Sequence, residues 1–290
     1  MQGTIFKALS GFYYVNTDGR EYECRARGKF RKDGMTPLVG DRVIIQTDGG
    51  SKGTVTGLLE RKNAFVRPPI ANIDYMVIII SAVIPVADTY LVDRLTAIAR
   101  KNNCDCILCI NKCDMDAGDS LYETYSAAGF KTLRVSAQTG QGVDELYNAI
   151  AGAHCAFTGN SGVGKSSILN AMCPELELKT ADVSSKLGRG RHTTRHVEMF
   201  TMPNGAMIAD TPGFSAFDTE QAGVILKDEL ADTFIEFEPY IGSCRYTNCS
   251  HTSERGCAVL KALSEGKIQP SRHNSYVRMY EQAKQINRWD

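Results

Sequence analysis

The sequence predicts a multidomain protein with an N-terminal β-barrel of the OB-fold type, a central α/β domain and a mainly α-helical C-terminal module. Short β-prone segments separated by Gly, Asp and Pro fill the first part of the chain. Apolar strands then alternate with helical segments, as in a parallel sheet covered on both faces. Three cysteines and a histidine are clustered near the C-terminus. With 290 residues available for two or three domains, we expect domains at 1–66, 67–226 and 227–290.

Five strand candidates lie in the N-terminal region. They cover residues 4–8, 11–15, 21–29, 41–45 and 53–58. Five short strands in about sixty residues fit a small closed barrel. The segment 29–32 is basic and contains Phe30, so charge and stacking could bind RNA there. A charged edge that prevents strand addition is the alternative interpretation.

The central region alternates strands and helices. Residues 76–80 and 106–110 are apolar strand candidates, and residues 90–102 are expected to form a helix between them. Residues 61–70, which include Pro68-Pro69, are expected to be a linker from the barrel. Because ligands bind beyond the carboxyl ends of parallel strands, side chains that follow these strands are site candidates.

A glycine-rich motif lies between a strand at 154–158 and a helix at 167–172. Residues 159–166, called the phosphate loop below, match the pattern that cradles nucleotide phosphates. Backbone N–H groups and the helix N-terminus attract the phosphates, Lys165 can reach the β- and γ-phosphates, and Ser166 can bind Mg²⁺. A glycine-rich turn without a ligand is the alternative. The expected nucleotide contacts here are Thr158, Gly159, Asn160, Ser161, Gly162, Val163, Gly164, Lys165, Ser166 and Ser167.

A second motif, Asn-Lys-Cys-Asp at 111–114, follows the strand at 106–110 and is called the base loop below. The Asp114 carboxylate can accept hydrogen bonds from N1–H and the exocyclic amine of guanine, a donor pair that adenine lacks. Asn111 can tie the base loop to the phosphate loop, and the Lys112 stem can cover the base. Ser136-Ala137 follows a further strand, and a backbone N–H there could meet guanine O6. The alternative is an ATP-dependent kinase with a chance match.

A third motif, Asp-Thr-Pro-Gly at 210–213, follows a strand candidate at 206–209. Asp210 can hold Mg²⁺ through water, and the Gly213 N–H can contact the γ-phosphate. Phe214 stands where Ras-like GTPases carry the glutamine that orients the attacking water. A phenyl ring cannot bond that water, so we expect slow turnover by the protein alone.

The glycine-rich segment 188–196 contains candidates for metal binding and catalysis. Thr193 or Thr194 could bind the metal, and we prefer Thr194. His192 is the best local substitute for the missing glutamine, although it could equally be a phosphate or RNA contact without a catalytic part. The expected Mg²⁺ ligands are Ser166, Thr194 and Asp210, and the expected catalytic residues are Lys165, His192 and Thr194.

A Cys/His cluster lies within fourteen residues of the C-terminal region and comprises Cys244, Cys249, His251 and Cys257. Three thiolates and an imidazole are the donor set of a closed, tetrahedral structural zinc site. Four unconnected loop residues are the alternative, whereas a catalytic zinc would need an open coordination position. We therefore expect one structural Zn²⁺.

The last helix candidate, 271–287, carries an apolar stripe expected to pack in a core. The stripe comprises Tyr276, Met279, Tyr280, Ala283 and Ile286. Basic residues of the same helix region could face RNA: Arg272, Arg278, Lys284 and Arg288.

Charge is unevenly spread, although the chain is neutral overall. Residues 1–66 and 244–290 each carry a net charge of +4, and residues 67–243 carry −8. Basic ends suggest contact with a polyanion, although modest charges are also common on solvated surfaces. No secretory or transit signal is visible, and the ten cysteines are expected to be reduced thiols. We expect a cytoplasmic monomer without a membrane partner.

These motifs are those of GTPases in a permuted order, because the base loop and Ser136-Ala137 precede the phosphate loop. In Ras-like GTPases the phosphate loop comes first. With a barrel in front and a Cys/His cluster behind, the whole chain resembles the RsgA (YjeQ/YloQ) family of circularly permuted GTPases. One departure is Arg195, where similar proteins often have a third threonine. This departure leaves open whether Thr193 or Thr194 binds the metal.

The resemblance implies an activity and a partner. Members of the family assist late maturation of the bacterial small ribosomal subunit, hydrolyse GTP slowly alone and faster on that subunit, and hold ribosomal RNA while GTP is bound. The expected partners are therefore the small (30S) subunit with its rRNA and GTP or GDP, with Mg²⁺ as the second cofactor beside zinc. A GTP-dependent RNA-binding switch without hydrolysis is the alternative. We further expect a helix at 219–226 to reorient the zinc module when the γ-phosphate is lost.

Overall fold

The computed structural model describes residues 1–28, 30, 34–66, 68–176, 197–210 and 224–286, with the backbone alone at Asp210. One sheet of eleven strands runs through this part of the chain, from the N-terminal barrel into the α/β domain. Within these ranges no helix has the length and apolarity that crossing a lipid bilayer requires.

The first five strands close into a barrel. They are β1 (Gln2–Leu9), β2 (Phe12–Thr17), β3 (Arg20–Ala26), β4 (Arg42–Thr47) and β5 (Lys52–Leu58). The strands pair in the order β1-β2-β3-β5-β4, and the pairing of Gly3 with Val43 returns β4 to β1. Alternate side chains fill the interior, among them the fully buried Ile5, Val15 and Val55. The predicted barrel is confirmed.

The aromatic ring of the basic segment belongs to the barrel core. Phe30 is 7% exposed and lies in the same buried cluster as Ile5 and Val15. The prediction that this ring stacks on RNA is therefore wrong, because a ring enclosed in the core cannot also stack on a base. The basic neighbours at 29, 31 and 32 lie outside the described residues.

The segment after the barrel is a packed hairpin rather than a linker. Strands β6 (Ala64–Phe65) and β7 (Ile70–Ala71) pair, and both Phe65 and Ile70 are buried. The Asn63 side chain donates to Ile73 O at 2.7 Å and accepts from Ile73 N at 2.9 Å. Prolines suggested a linker, but buried apolar side chains and satisfied backbone groups fix this segment against both domains.

The α/β domain contains six further strands. They are β8 (Tyr75–Ser81), β9 (Asp105–Asn111), β10 (Lys131–Arg134), β11 (His154–Thr158), β12 (Val197–Thr201) and β13 (Met207–Asp210). Their order is β10-β9-β8-β11-β13-β12, and all but β12 are parallel. The helices are α1 (Thr89–Lys101), α2 (Asp119–Ala127), α3 (Val143–Ala149) and α4 (Lys165–Met172). The predicted parallel α/β architecture is confirmed.

The barrel joins the α/β domain through backbone pairing. Strand β1 pairs antiparallel with β12, with Lys7 opposite Glu198, and these two side chains form an ion pair at 3.0 Å. The antiparallel edge strand β12 is thereby covered by a strand of the barrel.

The C-terminal module packs around a further core, to which α1 of the α/β domain contributes Ala97. It contains 3₁₀ turns at Ala231–Thr233 and Ile235–Phe237, then α5 (Ala258–Ser264) and α6 (Pro270–Ala283). Tyr276 lies with its ring centroid 4.9 Å from that of Phe237 and 5.3 Å from that of Phe234.

Helix α6 confirms most of the predicted apolar stripe, since Tyr276, Met279 and Ala283 are buried. Ile286 lies beyond the helix and is 38% exposed, so its assignment to the core is wrong. Arg272 is 1% exposed and therefore does not face RNA. Residues 224–226 are not helical, which contradicts the end of the helix predicted at 219–226; its first part lies outside the described residues.

Candidate functional site

The phosphate loop connects β11 to α4 at the carboxyl edge of the sheet. Two of its glycines are required by close backbone approach. A Cβ at Gly159 would lie 2.2 Å from Ile79 O, and a Cβ at Gly164, whose φ is +95°, would lie 2.2 Å from Asn111 Nδ2. Glycine at these positions therefore lets the loop approach both β8 and the base loop.

The Lys165 side chain folds back across the phosphate loop. Its Nζ donates to Gly159 O and, at 3.1 Å, to Asn160 O. The ammonium group therefore lies over the concave side of the loop, where a phosphate would replace these carbonyl contacts. Burial lowers the pKa of Lys165 to about 8.

This burial predicts a pH-dependent affinity for a triphosphate. A bound phosphate stabilises the charged ammonium and raises the pKa of Lys165 above its value in the free protein. Affinity should therefore be greatest below a pH of about 8 and fall by up to about tenfold per pH unit above it. Nucleotide titrations on both sides of that pH measure the slope.

The control for this prediction is Lys165→Arg, because a guanidinium stays charged throughout the range. Its affinity, whatever its absolute value, should be nearly independent of pH. An equally steep fall in this variant would show that another group is responsible.

Asn111 joins the base loop to the phosphate loop. Its side chain is buried; Nδ2 donates to Val163 O at 2.8 Å, and Oδ1 accepts from Ala137 N at 3.2 Å. One amide thus holds three loops together at the ends of β11, β9 and β10. A backbone N–H of Ser136-Ala137 was expected to meet guanine O6, but in this structure the Ala137 N–H is directed at Asn111 and the Ser136 N–H at Gln141 O.

Asp114 and Lys112, the other two predicted base-contacting residues of the base loop, each bond to a neighbouring loop. The Asp114 carboxylate is exposed, and its Oδ1 accepts from Ser136 Oγ at 2.6 Å. Lys112 Nζ donates to Ile84 O at 2.6 Å. The bond to Ser136 orients an exposed acceptor in the loop that Asn111 ties to the phosphate loop, and recognition of the guanine edge requires such an acceptor.

Sequence reasoning missed the segment 82–88, which connects β8 to α1. Its Ile84 carbonyl anchors Lys112, and Pro85 lies 3.7 Å from the position of a Cβ on Gly162. The sequence did contain a signal that this segment belongs to the site, because it also follows the carboxyl end of a parallel strand.

The remaining predicted nucleotide and magnesium residues are only partly described. Ser166 lies in the first turn of α4, and Thr158 ends β11. Strand β13 is parallel to β11 with Ala209 opposite Ala156, so the backbone of Asp210 lies beside the strand that feeds the phosphate loop. The side chain of Asp210, and the whole of His192, Thr193, Thr194, Gly213 and Phe214, lie outside the described residues.

The Cys/His cluster converges on one point in the C-terminal module. The four ligand atoms of Cys244, Cys249, His251 and Cys257 all lie within 4.8 Å of one another. Cys244 Sγ is 3.8 Å from Cys257 Sγ and 3.5 Å from His251 Nδ1, which is 3.4 Å from Cys257 Sγ. A tetrahedral zinc spaces its ligands by about 3.8 Å between sulfurs and about 3.5 Å between sulfur and nitrogen. The donor set and its spacing therefore fit a structural metal ion.

Backbone groups around the cluster support anionic sulfurs. Ala258 N donates to Cys244 Sγ at 3.3 Å, and Leu260 N donates to Cys257 Sγ at 3.5 Å, so the first turn of α5 faces the thiols. Burial raises the pKa of the Cys249 thiol to about 12, so metal binding must displace protons. Glu254 accepts from Ser250 N at 2.8 Å and orders the loop that presents His251.

Comparison with known proteins agrees with this architecture. A family model described as the RsgA N-terminal domain matches residues 2–55, and one described as RsgA GTPase matches residues 58–220. Relatives from Geobacillus kaustophilus and Bacillus anthracis are 44% and 43% identical to this chain. The alignments cover 95% of both chains in the first case and 98% in the second. Both relatives are named small ribosomal subunit biogenesis GTPase RsgA.

Two solved structures share the whole fold. YjeQ from Thermotoga maritima superposes with a TM-score of 0.85 at 31% identity over 99% of both chains. YloQ, described as a circularly permuted GTPase, gives a TM-score of 0.79 at 34% identity over 98% of this chain and 94% of its own. The chain belongs to the RsgA family of circularly permuted GTPases.

Proposed function

We propose that this GTPase binds the small ribosomal subunit and assists its late maturation, with slow GTP hydrolysis alone and faster hydrolysis on the subunit. The observation that carries the nucleotide part is the Asn111 bridge, which bonds to Val163 O at 2.8 Å and to Ala137 N at 3.2 Å. It makes a phosphate-binding loop and a purine-reading loop two parts of one site. The names of the relatives support the ribosomal part.

Each group in the nucleotide site has a proposed role. Lys165 neutralises the phosphates, the 159–164 backbone surrounds them, and Asp114 selects guanine while Lys112 packs beside the base. Ser166, Thr194 and Asp210 would hold Mg²⁺, which would supply charge neutralisation at the β- and γ-phosphates. Gly213 would contact the γ-phosphate. His192 remains our candidate for positioning water.

The other two domains would meet RNA and stabilise the fold. We propose boundaries of 1–66 for the barrel, 67–226 for the GTPase domain and 227–290 for the zinc module. The net charge of +4 on residues 1–66 and on residues 244–290 supports contact with ribosomal RNA at both ends of the chain. Zinc would be structural, held by Cys244, Cys249, His251 and Cys257. We propose a monomer that acts in the cytoplasm, where small subunits are assembled.

The test is GTP turnover with and without purified small subunits. Phe214 cannot orient water, so a partner that orders water-positioning groups should raise kcat by about 10²- to 10⁴-fold. Large subunits are the matched control and should not stimulate. Unchanged turnover on small subunits, in spite of tight GTP-dependent binding to them, would favour the alternative of a non-hydrolysing RNA-binding switch.

A further inference from the structure

We propose that Arg272, a residue of the C-terminal module, is a positioning residue for the phosphate loop and acts through helix α1. Its Nε and Nη2 donate to the two carboxylate oxygens of Glu236 at 2.7 and 3.0 Å. Its Nη1 donates to Asp93 Oδ1 at 2.8 Å and to Thr96 Oγ1 at 3.1 Å. Because Glu236 lies in the C-terminal module and Asp93 and Thr96 lie on α1, one side chain joins the two. The proposal rests on the GTP site proposed above.

The surroundings of Arg272 fix its position. Its guanidinium carbon lies 4.7 Å from the ring centroid of Phe234 and 5.2 Å from that of Phe130. Asp93 and Arg272 are each 1% exposed, so these ion pairs are shielded from water. Buried ion pairs can often be replaced by apolar residues without loss of stability. We infer that the four hydrogen bonds of Arg272 instead hold α1 in one position relative to α6.

The opposite flank of α1 faces the phosphate loop. Leu91, Val92 and Leu95 line a narrow cleft together with Gly159, Asn160 and Val163 of that loop. The N-terminal end of α1 is also held, because Asp88 caps the helix by accepting from Leu91 N at 3.2 Å. A displacement of α1 would therefore change the width of the cleft that this helix shares with the phosphate loop.

Helix α6 connects Arg272 to the Cys/His cluster as well. His273 Nε2 donates to His251 O at 2.9 Å, and the Tyr276 hydroxyl donates to Ser250 O at 2.7 Å. Hydrogen bonds thus run from the cluster loop to α6 and from Arg272 to α1, whose opposite flank lines the cleft beside the phosphate loop. The C-terminal module supports the nucleotide site through this route in addition to any connection through 211–223.

The principal test replaces the buried charges together, as Arg272→Met, Asp93→Leu and Glu236→Leu. This apolar variant avoids an unpaired buried charge and should keep the melting temperature and metal content of the unmodified protein. We expect the Kd for a fluorescent GTP analogue to rise by between about twofold and thirtyfold, with kcat unchanged. Lys284→Met, at the C-cap of the same helix and 49% exposed, is the matched control and should leave Kd unchanged.

A second measurement uses the unmodified protein. If α6 and the phosphate loop are coupled, GTP binding must in turn stabilise α6, and amide hydrogen exchange within Pro270–Ala283 should slow when GTP is added. A folded apolar variant with the Kd of the unmodified protein would overturn the proposal, and so would unchanged exchange in α6. Failure of the unmodified protein to bind GTP would instead refute the proposed function.

Discussion

Asp114→Asn is expected to lower the affinity for GTP by about 10²- to 10⁴-fold and to shift preference towards xanthosine nucleotides. The exposed carboxylate is held by Ser136 Oγ at 2.6 Å and offers acceptors to the two donors of the guanine edge. An amide presents a donor where guanine also has a donor, whereas xanthine has a carbonyl there. Hydrogen bonds to a charged group contribute about 1.5–3 kcal/mol each, so two of them account for the expected loss.

The matched control is Asp116→Asn, the same substitution two residues along the chain. Asp116 Oδ1 accepts from Gly118 N at 2.7 Å, a bond that asparagine can also make. This variant should bind GTP like the unmodified protein. Titration of both variants with guanosine and xanthosine triphosphates makes the comparison. If Asp114→Asn retained its preference for guanosine, Asp114 would not read the base.

The sequence-based predictions succeeded where chemistry is encoded locally. The phosphate loop can be recognised from eight consecutive residues. Its glycines determine the backbone conformation, and Lys165-Ser166 stands at a fixed distance from them. The contact between Asn111 and Val163 spans 52 residues, yet it was predicted because parallel strands end at the same edge of a sheet. Closure of the barrel followed from the number and length of its strands.

Predictions failed where long-range packing decides the environment of a residue. Arg272 was one of four residues that could face RNA, but it is paired with Asp93, 179 residues away, and no local pattern indicates that pairing. Phe30 was grouped with its basic neighbours, yet the barrel core encloses it. The pairing of β1 with β12 was equally invisible, because an edge strand carries no mark of its partner.

Loss of the metal ion from the Cys/His cluster should have the second large effect, on the stability of the C-terminal module. Cys257→Ser is expected to reduce bound metal from one ion per chain to almost none and to unfold the C-terminal module at a lower temperature than the rest of the chain. In small zinc-dependent domains the metal supplies about 10–16 kcal/mol of apparent binding free energy. Here Phe234, Phe237 and Tyr276 already form a core, so we expect partial rather than complete unfolding without metal.

Calorimetry and metal analysis distinguish the possible outcomes. The unmodified protein with a chelator should reproduce the Cys257→Ser profile, with a new early transition from the module and a later one from the barrel and GTPase domain. Cys113→Ser is the control, because that thiol lies in the base loop and outside the cluster, and it should retain one metal ion. A metal-free protein with an unchanged thermal profile would show that the core alone holds the module. The four converging ligands would then not be a structural site.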